Sequence, residues 1–293
     1  MRKSDPITTW TAEEIDTALP RFAHDELARP AATLEWLDAI VEYGVALVEG
    51  VPTTYEGLQS VSDRIGIAEN TNYGPQWDIV AVESPDTLVN SDRPLRVHTD
   101  LPYRRLPPGL QLLLCETADA GGGETVLVDG YGIAEALHST DREAWQTLTG
   151  TDQAFAYVNE HQRYIGGGPV IGLTGEGAPD IIRHAPDLVL PLKDESIQAE
   201  VDRSLAVLMN LAASPTYEFR IRLEPGQLVA FNNHRVLHGR GDVDMRTGGR
   251  RILGCYSTLD ELASSRRVLR RTTNPSNARS THEVENPDAR SAP

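Results

Sequence analysis

The sequence predicts a mainly β protein with flanking helices, of the double-stranded β-helix or jelly-roll kind. From Trp77 to Tyr256 it runs as short β-rich segments, "WDIVAV", "LQLLLCE", "ETVLVD", "QAFAYV", "DLVLPL", "YEFRIRL", "QLVAFNN" and "RRILGCYS", separated by Gly, Pro and Asp. Many short strands with few long helices between them favour two packed antiparallel sheets over a parallel α/β sheet. One long amphipathic segment, "DESIQAEVDRSLAVLMNLAAS", interrupts the run as a helix. With 293 residues and no internal repeat, the chain fits one domain, expected over 1–271, with a helical N-terminal part (1–70) and a jelly-roll core (about 77–257).

In the N-terminal part, Thr11 and Glu14 have the spacing of a capping box ahead of "EEIDTAL". "AATLEWLDAIVEY" carries Leu34, Leu37, Ile40 and Val41 at helical spacing, "GVALVEG" reads as a short strand, and "YEGLQSVSDRIG" places Leu58, Val61 and Ile65 on one helical face. The "SSRRVLRR" run is expected to make a structural contact near the C-terminus. Residues 272–293 are polar with almost no large apolar groups and are expected to be a disordered tail.

The composition excludes several classes of function. A net charge of -16 leaves no basic field for a nucleic acid or an anionic membrane. The two cysteines, Cys115 and Cys255, lie in apolar runs, which argues against a disulfide framework or a thiolate metal site. No secretory leader and no long apolar span are evident, so a cytoplasmic protein acting on a small molecule is expected, with a homodimer left open.

The chemistry begins at "LRVHTDLPYR", where His98 and Asp100 stand two apart after a strand-like run; on a strand such residues share a face. The later segment "QLVAFNNHRVLHGR" follows a Pro225-Gly226 turn and carries His234 and His238. Two neutral imidazoles and one carboxylate converging from separate strands make the facial triad that holds non-haem Fe(II) with open positions. Such iron generally needs an electron-donating co-substrate, usually 2-oxoglutarate, whose distal carboxylate calls for an arginine fork and a hydroxyl. "GGRRILGCYS" offers the cation: Arg250, Ile252, Gly254 and Tyr256 share one strand face, with Arg246 and Arg251 as rivals for the role. Thr125, after the "AGGGE" turn, offers the hydroxyl.

Taken together, the segments Asn70-Thr71-Asn72-Tyr73-Gly74, "HTDLPYRRLPPGLQLLLCE", "GGGETVLVDG", "PGQLVAFNNHRVLHGR" and "RRILGCYSTLDELASSRRVLR" resemble the Fe(II)/2-oxoglutarate dioxygenases of the taurine dioxygenase superfamily. The likeness runs from about residue 30 to 271 and is greatest to the γ-butyrobetaine and trimethyllysine hydroxylase branch. It implies that His98, Asp100 and His238 bind iron, that Arg250 and Thr125 anchor 2-oxoglutarate, and that His234 lies outside the ligand set. It further implies O2 as oxidant, ascorbate as activator, and succinate and CO2 as co-products of hydroxylating an unactivated C–H in a betaine-like molecule.

The branch surrounds a trimethylammonium group with aromatic rings, and Tyr73, Trp77 and Tyr256 stand at cage positions. The sequence departs from it at Asn90, where an aromatic residue is expected, at Thr87, where an Asn is expected, and at Arg183-His184, where the branch has an Asn pair. The N-terminal zinc-binding domain of that branch also has no counterpart. Asn90 and Arg183 are therefore expected to touch the substrate and to shift its preference toward a zwitterion or anion. The alternative is a tailoring oxygenase hydroxylating, desaturating or cyclising an amino acid, phosphonate or sulfonate. Outside this class, a zinc hydrolase would not need the Arg250 and Thr125 pair, and a silent binding protein would not need intact ligands.

Overall fold

A computed structural model describes residues 6–80 and 90–273. Its core is two facing sheets. The larger runs, edge to edge, Arg21–Ala23, Val45–Glu49, Leu228–Asn232, Leu110–Ala118, Arg250–Ser257 and Trp77–Val80; only its first pair is parallel. The smaller runs Phe219–Ile221, Thr125–Asp129, Val236–Arg240 and Leu95–His98, all antiparallel.

The apolar runs follow from burial on both faces. On one side of the larger sheet Ala46, Val48, Leu112, Leu114, Ala230 and Leu253 pack against helices Pro30–Tyr43, Tyr55–Ser62 and Leu259–Thr273. On the other, Val45, Leu47, Leu113, Cys115, Val229 and Ile252 meet Leu127, Phe219 and Val236 of the smaller sheet. The smaller sheet's outer face, with Val128 and Leu237, is covered by helices Gly130–Thr140, Arg142–Gly150 and Glu195–Ala212. The result is helices, sheet, sheet, helices, in the jelly-roll manner expected from sequence.

Several expectations need revision. The Pro30–Tyr43 helix buries Trp36, Leu37 and Ile40, whereas Leu34 and Val41 are only partly covered. "DLVLPL" is not a strand: prolines at 186 and 191 lack the amide proton a ladder needs, and only Val189 bridges, to Phe155. Helices Gly130–Thr140 and Arg142–Gly150 were not expected; Asp129 caps the first through Tyr131 N–H and Asp141 the second through Ala144 N–H. A glycine-rich strand, Arg163–Pro169, pairs with Asp152–Val158 and was missed because "RYIGGGP" has little strand propensity.

The expected tail starts inside a helix that continues to Thr273; residues 274–293, and the Thr87 position, lie outside the described residues. Arg266 and Arg270 of that helix pair with Asp38, the structural contact expected of "SSRRVLRR". The Thr11/Glu14 capping box is present, and both cysteines are free and buried. No helix among the described residues is long and apolar enough to cross a membrane.

Candidate active site

Strand register makes the site. His98 and His238 are direct partners across the Leu95–His98 and Val236–Arg240 strands, with ring centroids 4.4 Å apart. Asp100 does not join them by strand alternation, because the strand ends at His98. The chain turns instead through Leu101, at φ 55°, and the carboxylate swings back to the rings. Asp100 Oδ1 lies 3.2 Å from His98 Nε2, and Oδ2 lies 3.7 Å from His238 Nε2. One donor atom from each of the three residues falls within 4.8 Å of the others.

The electrostatics suit a cation. Burial raises the Asp100 pKa, but His238, His98 and the Tyr256 hydroxyl together hold it well below the usual carboxylate range. Tyr256 donates to Asp100 Oδ2 at 2.7 Å. Burial, with the nearby His98 charge, pushes His238 down to about 3, so this ring is neutral near pH 7. Burial opposes protonation of His98, but the hydrogen bond and charge of Asp100 outweigh it and raise its pKa. His98 Nδ1 faces the carbonyl of Arg96 at 2.9 Å, which fixes the ring and leaves Nε2 for a ligand. His238 Nδ1 is buried without a hydrogen-bond partner among the described residues. Two imidazoles, one ionised carboxylate and no thiolate form a donor set that fits Fe(II).

Two residues further along the strands, about 7 Å at ordinary strand rise, Arg240 pairs in register with Thr125. Arg250 reaches the same cavity from the facing sheet, with its Nε–H on the carbonyl of Gly123 at 3.2 Å. Burial, reinforced by Arg240, lowers its pKa to about 10, the mark of a buried cation short of negative charge. Gly123 is left-handed at φ 71°, and a Cβ there would stand 2.9 Å from the Arg250 side chain. Arg222 steadies the glycine turn by donating to the carbonyls of Ala118, Ala120 and Gly122. Arg251, the sequence rival, is committed outside to Asp78 and Glu116, and Arg246 to Asp244. Arg250 with Thr125 therefore fits the distal carboxylate of 2-oxoglutarate.

The His98/Asp100/His238 cluster, Thr125, Arg240 and Arg250 line one cavity of about 430 Å³. It contains nine of the ten residues singled out from sequence: His98, Asp100, His238, Thr125, Arg250, Tyr73, Trp77, Asn90 and Tyr256. Trp77 lies 5.3 Å from Tyr256, in a space kept open by Gly254, where a Cβ would collide with the indole. Asn90 is turned toward the backbone, its Oδ1 accepting from Val80 N–H at 3.4 Å. Arg183 is the exception. Its strand ends at Ile182, and the guanidinium packs over Gly168 and Gly172 beneath the Asp152–Val158/Arg163–Pro169 hairpin, with Asp152 and Asp180 offsetting its charge. The cavity is lined from Ala185 onward instead.

Sequence reasoning missed Tyr103 and Tyr157, which stack 5.5 Å apart and, with Tyr73 edge-on to Tyr157, complete an aromatic wall. Tyr157 shares a strand face with Phe155 along "QAFAYV", but only the chain's long-range path shows where that strand lies. Asp187, also on the cavity wall, pairs with Arg96 at 3.5 Å.

The Taurine catabolism dioxygenase TauD, TfdA family matches residues 3–256. The γ-butyrobetaine dioxygenase of Pseudomonas sp. (strain AK-1) is 37% identical over 257 residues, covering 87% of this chain and 67% of that one. This chain belongs to the TauD/TfdA family. It is a dioxygenase of the Fe(II)/2-oxoglutarate-dependent kind, and His98, Asp100 and His238 form a cluster that could hold a metal ion. The human mitochondrial trimethyllysine dioxygenase is 30% identical over 245 residues, 80% of this chain but 57% of the human one, so the TauD/TfdA chain described here spans little more than half of that relative. Among solved structures, a taurine dioxygenase from Burkholderia xenovorans superposes with a TM-score of 0.61 at 16% identity, covering 79% of this chain and 83% of the other. An asparagine oxygenase gives 0.61 at 16%, covering 78% of each. At such identities these two bear on the jelly-roll fold alone.

Proposed function

We propose that this TauD/TfdA dioxygenase hydroxylates an unactivated C–H of a small quaternary-ammonium compound of the betaine type. The observation that carries the reading is the aromatic wall of Tyr73, Trp77, Tyr103, Tyr157 and Tyr256 beside the His98/Asp100/His238 cluster in one cavity. Tyr103 and Tyr157 supply the ring surface that Asn90 does not, and Arg183, the cation that favoured an anionic substrate, faces away from the cavity. Similarity to a γ-butyrobetaine and a trimethyllysine dioxygenase supports the same class.

In this reading His98, Asp100 and His238 would hold the iron, and Arg250 with Thr125 would hold 2-oxoglutarate by its far carboxylate. Bound there, Fe(II) with 2-oxoglutarate and O2 supplies the oxidising power for C–H cleavage, with succinate and CO2 as co-products. The protein's own work is positioning. Tyr256 serves both halves of the site: its ring faces Trp77 while its hydroxyl fixes Asp100 Oδ2. The tyrosines hold the cationic head by cation–π attraction and exclude water, leaving one carbon of the chain over the metal cluster. Ascorbate would serve to keep the iron reduced, and the two buried thiols suit a reducing cytoplasm.

The test is succinate formation across a panel pairing each trimethylammonium acid with its neutral tert-butyl isostere and with primary amine, phosphonate and sulfonate analogues. Stimulation confined to the trimethylammonium members supports the reading; stimulation by the phosphonates or sulfonates instead removes it in favour of a tailoring enzyme. Asp100→Ala is expected to abolish Fe(II)-dependent succinate formation, and undiminished turnover in iron-replete buffer would sink the triad. Tyr157→Ala is expected to raise KM for the trimethylammonium substrate roughly 2- to 30-fold, the equivalent of about 0.5–2 kcal/mol of cation–π attraction, while leaving the binding affinity of the neutral isostere, measured as a competing ligand, nearly unchanged.

A further inference from the structure

The turn between strands Leu228–Asn232 and Val236–Arg240 holds Asn233, His234 and Arg235, all buried, although a turn in a sheet protein ordinarily lies at the surface. All three are tied to segments distant in sequence. Arg235 closes on Asp129, and the His234 Nε2 meets the carbonyl of Pro107 at 2.9 Å. Asn233, 1% exposed, is directed at the metal cluster's carboxylate residue. Its Oδ1 accepts from the Asp100 backbone N–H at 2.8 Å, while its Nδ2 donates to the Asp100 carbonyl at 3.1 Å and to the Pro108 carbonyl at 2.9 Å.

We infer that Asn233 is a positioning residue for the metal site: it holds the Asp100 peptide in place before the metal arrives and so sets where the carboxylate points. The need arises from the local geometry. At Asp100 the chain has left its strand and lost the neighbouring backbone that would otherwise satisfy both of its peptide groups. The next residue, Leu101, is held in the left-handed region at φ 55°, a conformation unfavourable for an L-residue that persists only where the surroundings impose it. The Asn233 carboxamide substitutes for the absent strand, pairing with both the N–H and the C=O of Asp100 as a backbone partner would. Thr99, one residue earlier, is tied separately to His184 through its N–H and its hydroxyl. The carboxylate's direction is therefore decided from outside its own segment by Asn233 on the peptide, Tyr256 on Oδ2 and the His238 imidazole, with His98 of the same segment on Oδ1. Its supporting partner comes from the turn that leads directly into the His238 strand, so two of the three ligands are set from one piece of chain.

The proposal rests on reading His98, Asp100 and His238 as metal ligands, and the experiment separates the two. Co(II) is titrated into the full-length protein, following the visible ligand-field bands, for wild type, Asn233→Ala and His234→Ala, with the melting temperature of each metal-free protein recorded alongside. His234→Ala removes a contact of the same buried turn that does not touch Asp100. The expected result is that Asn233→Ala binds Co(II) about tenfold or more weakly, the range seen for groups that orient metal ligands, with altered bands. His234→Ala should lose thermal stability yet bind within twofold of wild type. Unchanged Co(II) affinity in Asn233→Ala, or an affinity loss in both variants that merely follows their loss of stability, overturns the role. A wild type that takes up no Co(II) overturns the metal reading together with it. Should Asn233→Ala not fold, amide hydrogen exchange in metal-free wild type decides the matter: a slowly exchanging Asp100 N–H supports the inference, and exchange at the rate of an open turn overturns it.

Discussion

Near each end of the paired strands Thr125–Asp129 and Val236–Arg240 an arginine is drawn out of solvent, the buried Arg235 at one end and the partly buried Arg250 of the facing sheet at the other, and the two could hardly be treated more differently. At the Asp129 end, Arg235 makes a two-pronged ion pair with Asp129, at 2.9 and 2.7 Å, and gives its remaining donors to the carbonyls of Glu42 and Thr8. At the Thr125 end, Arg250 has one hydrogen bond among the described residues, to the Gly123 carbonyl, with an arginine neighbour and a pKa lowered by burial. A buried guanidinium satisfied by the protein is part of the scaffold; one left short of anions is a place for a ligand. The contrast supports the proposed role of Arg250 as the 2-oxoglutarate anchor with a physical argument that does not depend on likeness to any relative.

The sharpest way to break this comparison is to truncate both arginines. Arg235→Ala leaves the Asp129 carboxylate buried without its partner, so a loss of about 3–5 kcal/mol is expected in urea unfolding, with the 2-oxoglutarate requirement of whatever remains folded little changed. Arg250→Ala is expected to do the converse. It should cost the ligand-free protein little stability, since it removes a buried charge that lacks compensation. In wild type, 2-oxoglutarate with an inert divalent metal at a hundred times its Kd should add about 2.7 kcal/mol, and most of that gain should vanish in the variant. Equal 2-oxoglutarate stabilisation in both proteins would move the anchor to another cation, with Arg240 the first to examine.

The same contrast explains what could be read from the sequence. His98, Asp100, His238, Thr125 and Arg250 were legible because each sits in a short local pattern: a His-x-Asp after a strand, a His before Gly-Arg, an arginine on the face of an alternating run. The sheets were legible for a similar reason, since runs such as "LQLLLCE" are apolar on both faces and the structure covers both. Arg183 was misplaced because a residue just beyond a strand end has no alternation to fix its side, and here the chain turns it under the hairpin glycines. Tyr103, Tyr157 and Asn233 act through partners 31 to 133 residues away, or through a wall assembled from three segments, and no local spacing records such contacts. The helices of residues 130–150 had a readable signal in Asp129 and Asp141, each followed by the residues it caps, but Gly130 and Gly132, poor helix formers in its first turn, hid the first.

A smaller effect tests the two ends at finer grain, because each arginine passes over its own left-handed glycine. Gly44, at φ 76°, lies under Arg235, and Gly123, at φ 71°, lies under Arg250; a Cβ at either would come within 2.9 Å of the arginine's Cδ. Alanine at either position meets the same backbone penalty, about 1–2 kcal/mol for the left-handed conformation, so both variants should lose that much stability. They should part on function. Displacing Arg235 disturbs only a closed ion pair, so Gly44→Ala is expected to keep the wild-type requirement for 2-oxoglutarate. Gly123→Ala pushes the guanidinium that would hold the co-substrate, and its KM for 2-oxoglutarate should rise several-fold while Co(II) affinity stays as in wild type, the ligands being carried on other segments. If both alanine variants raised that KM alike, the glycine turn would be acting through general loosening of the sheet ends, and the distinction between a closed and an open arginine would lose its meaning for function.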